Sequence, residues 1–306
     1  WILVDEYQDV SGAQAELLRA LAPTGRGLTA VGDPDQAIYG FRGADPGHAL
    51  RFARDFPDAA VVRLRQNYRS TAAILRAARE TLTGGRDDTA RRLRPRAPGG
   101  EPVALLETAS EAAEAEAIAH TIEELLGGMS LDTLRARRAP ATAPATGATF
   151  ADIAVLYRTH AQAPALAAAL DRAGIPYQRV STPPDEREPY DPRGERVALM
   201  SLHAAKGLEF AIVFIAGCED GLLPYRRPGE PEATDPEEER RLLYVGMTRA
   251  RERLLLSFAR RRTLYGERRE GTPSPFLEPV SHTTILRRRA PTPPTRPATG
   301  QLALFP

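Results

Sequence analysis

Two adjacent carboxylates, Asp5 and Glu6, follow directly on four apolar residues in the opening stretch WILVDEYQDV. A continuous apolar run of this kind predicts a fully buried strand over Trp1 to Val4, at home in a parallel sheet. Open α/β sheets bind ligands at the carboxyl ends of their strands. A carboxylate pair at that edge suits a magnesium ion and a water to be deprotonated, although a lone Asp-Glu is more commonly a solvated strand end. A second chemical cluster is the glycine-punctuated loop GDPDQAIYGFRGAD, which offers the uncharged amide of Gln36, two rings at Tyr39 and Phe41, and the guanidinium of Arg42. Further on stand Tyr68 and Arg69 in RQNYRS, His203, Lys206 and Glu209 in LHAAKGLEF, and Arg249 in GMTRAR.

Alternating strands and helices must position these groups. Ser11 predicts a helix cap, with the helix running through Leu21, and Leu28 to Val31 read as a second buried strand. A short helix near Ala49 to Asp55 is followed by a strand over Val61 to Leu64, with a domain boundary just before it. The order then continues as helix (TAAILRAARETL), strand (PVALLE), helix (Glu111 to Leu126), strand (DIAVLYR), helix (Pro164 to Ala173), strand (VALMSL) and strand (AIVFIAG). Asp235-Pro236-Glu237-Glu238 has the cap, N1 proline and acidic first turn of a helix, expected to end near Arg251, before a last strand, RLLLSF. Such alternation predicts a doubly wound parallel sheet. Residues 130–149 read as a disordered insertion, and the chain beyond about Pro279 as a disordered arm.

With 306 residues the chain accommodates two domains, and its 42% hydrophobic and 26% charged residues are those of a soluble globular protein. No apolar run approaches the roughly 18 residues of a membrane span, and no signal peptide precedes the first strand, so no membrane association and a cytoplasmic location are expected. Cys218 has no internal partner and reads as a buried thiol. A net charge of +1 restricts any nucleic-acid contact to local patches. Among 41 Lys plus Arg residues only Lys206 is a lysine, which marks a place where a compact ammonium is retained.

Taken in order, VDEYQD, GDPDQAIYGFRGA, LRQNYRS, LMSLHAAKGLEF and EEERRLLYVGMTRARERL closely resemble the motifs of the UvrD/Rep/PcrA-type superfamily 1 DNA helicases, over roughly residues 1 to 258. The resemblance implies a RecA-like P-loop NTPase fold in which ATP binds between two domains and single-stranded DNA runs across them. It assigns residues 1–60 to the first domain, 61–278 to the second and 279–306 to a tail. Asp5 is then the carboxylate associated with Mg²⁺, and Glu6 the base that orients and deprotonates the attacking water. Gln36 senses the γ-phosphate, while Arg69 and Arg249 are arginine fingers, each typically worth about 10³–10⁵ in rate. Tyr68 stacks on adenine and Glu209 binds the ribose. Tyr39, Phe41, Arg42 and His203 contact DNA. Phe41 stands where most relatives carry Trp, and His203 reads equally as a structural histidine. Lys206 either meets a backbone phosphate or braces acidic neighbours.

Two departures follow from the same comparison. No G-x-x-x-x-G-K-[ST] phosphate loop occurs in these 306 residues, so the chain is expected to be a fragment that does not hydrolyse ATP alone. Only STPPDEREPYDPRGERVA separates GIPYQRV from the next motif strand, where relatives carry a long helical subdomain, so a 2B-like subdomain is expected to be missing. The closing Gln301, Leu302, Leu304 and Phe305 are similar to bacterial peptides that dock on the sliding clamp, one polar anchor beside two apolar plugs. The expected function is an ATP-dependent 3′-to-5′ helicase or translocase of DNA repair or replication restart, acting on single-stranded and 3′-tailed duplex DNA. Its rivals are a non-catalytic DNA- or clamp-binding module and the motor part of a RecB/AddA-like helicase-nuclease.

Overall fold

The computed structural model describes residues 1–86, 93–96, 98–127, 147–180, 190–227, 229 and 235–289. Most of the 130–149 tract and the tail peptide 301–305 lie outside them.

The first unit pairs strand β1 (Ile2–Val4) with β2 (Leu28–Ala30) in parallel, connected through helix α1 (Gly12–Leu21). Ser11 caps α1 through a capping box with Gln14, which satisfies two otherwise orphaned helix N–H groups. Helix α2 (Gly47–Asp55) closes this unit, and Tyr7 meets Phe52 edge-on at 5.1 Å between ring centres. The opening strand is not the buried strand that its apolar run predicts: Leu3 is 79% exposed. Among the described residues β1 has only β2 as a sheet neighbour, so nothing covers its outward face.

An extended arm leads to β3 (Gln66–Asn67), helix α3 (Ala72–Thr83) and β4 (Arg94–Pro95), with β3 and β4 paired in parallel. The strand expected at Val61 to Leu64 is absent. These residues are exposed and find no partner strand, and an unpaired backbone in water has no ladder to hold it extended.

The second unit comprises β5 (Val103–Thr108), α4 (Glu111–Leu125), β6 (Ile153–Tyr157), α5 (Ala163–Ala173), β7 (Tyr177–Val180), β8 (Val197–Ser201), β9 (Phe210–Ile215), α6 (Pro236–Met247) and β10 (Ala250–Ala259). A hairpin, β11 (Arg261–Leu264) with β12 (Glu267–Glu270), and a last strand, β13 (Ile285–Arg289), follow. Seven strands form one parallel sheet in the order β13-β5-β10-β9-β6-β8-β7. This is the parallel α/β architecture of the RecA-like expectation. Core residues of β6, β8 and β9 are buried on both faces, as a sheet covered by helices on each side requires. One apolar cluster joins β6, β8 and β10 to α3 and α6, and the other joins β6 and β9 to α4 and α5.

Two boundaries differ from the sequence reading. Helix α6 stops at Met247, not near Arg251, because the chain must turn at Thr248 to start β10 at Ala250. The chain past Pro279 is not all disordered arm: Ile285 buries its side chain and β13 adds to the sheet edge beside β5.

The two units meet through the β2–α2 loop. Ile38, in the middle of that polar segment, is fully buried within the core of the second unit. Arg241 of α6 donates from Nε to the Ala37 carbonyl at 2.8 Å. Gly40 lies so close against Glu238 that a Cβ there would collide with the carboxylate.

Candidate functional site

The strand-to-turn transition after β1 places both carboxylates. Glu6 adopts φ 52° and ψ 45°, the left-handed region that a non-glycine residue enters only when its surroundings impose it. Its N–H donates to Asp5 Oδ1 at 2.9 Å, and its carboxylate accepts from Gln8 Nε2. Gln8 is fully buried, and its amide oxygen takes the Asp33 N–H at 2.9 Å. Gly32 must lack a side chain for this, since a Cβ would lie 2.7 Å from Gln8 Oε1. The turn after β1 is thereby fastened to the loop after β2. Both carboxylates remain open to solvent.

Asp5 is exposed, and a carboxylate at this position can offer an oxygen to a cation. Among the described residues no group of three His, Cys, Asp or Glu side chains gathers as a metal cage. Magnesium needs none, because it usually retains several waters and takes one or two carboxylates plus substrate phosphate. The residues present therefore fit Mg²⁺ carried in with a nucleotide.

Arg249 lies within electrostatic reach of Glu6, Arg69 and Glu209. Arg249 is 2% exposed, and its guanidinium donates to the Val245 carbonyl at 3.0 Å, the Leu208 carbonyl at 3.3 Å and the Gln36 side-chain oxygen at 3.4 Å. Burial, reinforced by the charge of Arg69, holds its pKa down to about 10, so it remains a cation at neutral pH. Gln36 is oriented from its other end, where Nε2 donates to Asp33 Oδ2 at 2.7 Å. Arg69 projects from the arm before α3 and binds Glu209 through Nε at 2.6 Å, and that bond holds the Glu209 carboxyl below its usual range. The arm is pinned to β10 by Ser70 Oγ, which donates to the Ala250 carbonyl at 2.6 Å, and by Thr71 N–H to the Arg251 carbonyl at 3.1 Å. Tyr68 is 73% exposed, with the Arg96 guanidinium 5.8 Å from its ring centre.

Residues 62–183 and 183–261 match the family model described as the UvrD-like helicase C-terminal domain, and residues 1–57 match the UvrD/REP helicase N-terminal domain. The chain belongs to the UvrD-like helicase family. It is 33% identical to the ATP-dependent DNA helicase UvrD2 of Mycobacterium tuberculosis, over 92% of this chain and 50% of that protein. To the ATP-dependent DNA helicase PcrA of Bacillus subtilis it is 25% identical, over 92% of this chain and 57% of that protein. The chain thus spans about half the length of the curated relatives it matches. A solved C-terminal domain of a possible DNA helicase from Lactobacillus plantarum aligns over 72% of this chain and 98% of its own, at 22% identity and a TM-score of 0.43.

Further along the Gln36 loop, this UvrD-like helicase chain carries an aromatic cluster. Tyr39 and Phe41 are edge-on at 6.0 Å, and Phe41 meets the His203 ring at 5.4 Å. The Arg42 guanidinium lies 5.2 Å from the Tyr39 ring centre and 5.5 Å from that of Phe41, within reach of a cation–π attraction. Phe41 is 64% exposed, so one ring face is open to a flat ligand. Burial lowers the His203 pKa to about 4, with the Arg158 and Arg42 charges acting the same way. His203 is therefore a neutral ring at neutral pH.

The structure thus gathers Glu6, Gln36, Arg69, Glu209 and Arg249 in one electrostatic neighbourhood, and Tyr39, Phe41, Arg42 and His203 in one aromatic cluster. Sequence reasoning missed Gln8, Asp9, Asp33, Ile38 and Glu238, which hold the turn after β1 and the loop after β2 in place. The available signal was Ile38, the one aliphatic β-branched residue of the loop GDPDQAIYGFRGAD.

Proposed function

We propose that this chain is part of an ATP-dependent 3′-to-5′ DNA helicase or single-stranded DNA translocase of bacterial DNA repair or replication restart, cytoplasmic and loading on 3′-tailed duplex DNA. One observation carries the reading. A single loop presents Gln36 to the buried Arg249 and, five residues on, presents Phe41 to His203. Nucleotide chemistry and strand contact thus share one short, tightly held segment.

Residues 1–60 act as the nucleotide-binding side and 61–278 as the side that supplies Arg69 and Arg249. Asp5 would hold Mg²⁺, and the ion would supply compensation of phosphate charge. Glu6 accepts the proton of the attacking water, Gln36 bonds to that water or to the γ-phosphate, and Arg69 and Arg249 compensate the charge that develops on the transferred group. Tyr68 covers the adenine and Glu209 exchanges Arg69 for the ribose hydroxyls. Bases stack on Phe41 and Tyr39. The tail peptide Gln301 to Phe305 docks on the sliding clamp.

The phosphate-cradling backbone is missing from the 306 residues, so the chain alone is expected to bind DNA without turning over ATP. Titration with a labelled oligothymidylate tests the strand-binding half. Phe41→Ala should weaken binding by about 1–3 kcal/mol, and equal affinity of the two proteins overturns it. ATP turnover by the purified chain that disappears in Glu6→Gln refutes the inactivity. A clamp titration with the tail peptide tests the docking, and no binding tighter than about 1 mM removes it.

A further inference from the structure

Strand β13 reads ILRRR, with Ile285 buried and Leu286 to Arg289 exposed. It forms the edge of the sheet, parallel to β5, with Arg287 opposite Leu105 and Arg289 opposite Glu107. On the inner side of β5, Phe258 of β10 stands opposite Glu107. Residues two apart on a strand share a face, so Arg287 and Arg289 lie on the face of Leu105, Glu107 and Phe258. Arg260, two residues past Phe258, joins them. Together with Arg288 and residues 271–273 they line an open cleft of about 470 Å³.

Four guanidiniums thus surround a single carboxylate. Glu107 accepts from Arg260 Nη2 at 2.5 Å and stands 3.4 Å from Arg289 Nε, yet these arginines remain 52% and 67% exposed. Arg287 and Arg288 form no ion pair among the described residues. Charges on an edge strand also keep sheets from pairing edge to edge. That task accounts for an arginine on β13 but not for Arg260, which comes from the next strand but one and borders the same opening. Arginines two apart on a strand are separated by about 6.6 Å, a row suited to an anion that repeats along a chain. The cleft lies at the carboxyl ends of β5, β10 and β13, the edge at which open α/β sheets take ligands. His203, against which Phe41 packs, follows the carboxyl end of β8 on that same edge. Five strand spacings separate β8 from β13, or about 24 Å.

We propose that the cleft at the β13 edge is a second nucleic-acid contact, in which Arg260, Arg287, Arg288 and Arg289 hold the phosphodiester backbone without reading bases. The proposal rests on the DNA reading above and extends it. A strand stacked on Phe41 continues along the sheet edge, or the duplex attached to it does, and its phosphates enter the basic row. Contacts of this kind add affinity and fix register but carry no sequence information. Glu107 orients Arg260 and Arg289 in advance, while its own charge opposes the ligand. In a chain of net charge +1, such a cleft is the local patch to which a backbone contact is confined.

The experiment uses the 306-residue chain as wild type, Arg287→Gln/Arg288→Gln and Glu107→Gln, and reads the affinity of fluorescein-labelled DNA against salt. Arg54→Gln/Arg172→Gln removes equal charge from exposed positions elsewhere and serves as the control. The probes are an oligothymidylate shorter than the span between the two sites, one that exceeds it, and a 3′-tailed duplex with the short tail. Arg287→Gln/Arg288→Gln should leave the short probe unaffected and weaken the long one, the duplex or both about tenfold at low salt. Its salt slope should be shallower by about 0.7 per lost contact on a single strand and about 0.9 on a duplex. Loss on the long oligothymidylate assigns the strand as the source of phosphate, and loss on the tailed duplex assigns the duplex. Glu107→Gln should bind the affected probe more tightly. Affinity and slope equal to wild type on both larger probes overturn the proposal, as does a loss that the control reproduces. If the arginine variant lowers the urea midpoint, Glu107→Gln decides alone, and no gain in its affinity refutes the contact. If Phe41→Ala leaves binding intact while the arginine variant weakens it, the stacking reading falls and the β13 contact stands.

Discussion

The guanidinium of Arg249 lies 3.4 Å from the side-chain oxygen of Gln36, reaching from the second unit to a loop of the first. This bond is one of several that the arginine makes from a site almost closed to water, the others ending on the Val245 and Leu208 carbonyls. A group held in this way carries structural weight in addition to the chemistry proposed for it.

Arg249→Met should therefore destabilise the chain by about 2–4 kcal/mol, since two buried carbonyls and an amide lose a charged donor. Urea titration checks this, with the midpoint lowered and the slope unchanged. Stability equal to wild type would mean that the arginine is free to swing, contrary to its packing.

His203 makes stability depend on pH. Its folded pKa of about 4 lies below the ordinary 6.5, so between these values the unfolded chain holds a proton that the folded one excludes. Its contribution is complete above pH 6.5 and falls toward pH 4, by at most about 1.4 kcal/mol per pH unit. Asp9 and Glu238, whose carboxyls burial pushes upward, act in the opposite direction on acidification. The difference between wild type and His203→Asn in urea melts at pH 7, 6 and 5 isolates the histidine, and parallel curves would refute the assignment.

Arg262 stands between two buried carboxylates, bonding Glu114 through Nη2 and Glu219 through Nε at 2.5 Å. Ser257 Oγ and the Gly217 N–H complete the partners of Glu114, at 2.7 and 2.9 Å. Arg262→Met leaves two anions in a dry site and should lose about 3–5 kcal/mol. Chemical denaturation measures the loss, and oligothymidylate affinity below the transition should stay as in wild type.

Cys218 is fully buried, and burial drives its thiol well above the ordinary range. An aromatic disulfide reagent should label it only as fast as the second unit opens, with full reaction in denaturant. Rapid labelling of native protein would contradict its position beneath the Ser274 and Ser257 backbone.

The second unit was legible because its strands are short continuous apolar runs, VALMS and FAIVFI, that have one physical solution once helices flank them. The same rule misread the opening strand: an apolar run reports what a strand would bury, and Leu3 has no neighbour to bury against. It failed again at Val61 to Leu64. Contacts across the chain were invisible for a different reason. That Lys206 would find Asp9, or Arg249 find Gln36, depends on distances between segments about two hundred residues apart, which no local pattern encodes. Motif order named the groups around the site, and only the fold assigned their partners.

Ile38 determines where the molecule can bend. Drawing its side chain out of the second unit's core would cost about 2–3 kcal/mol, so any displacement of one sheet relative to the other must keep the middle of the loop seated or lose that burial.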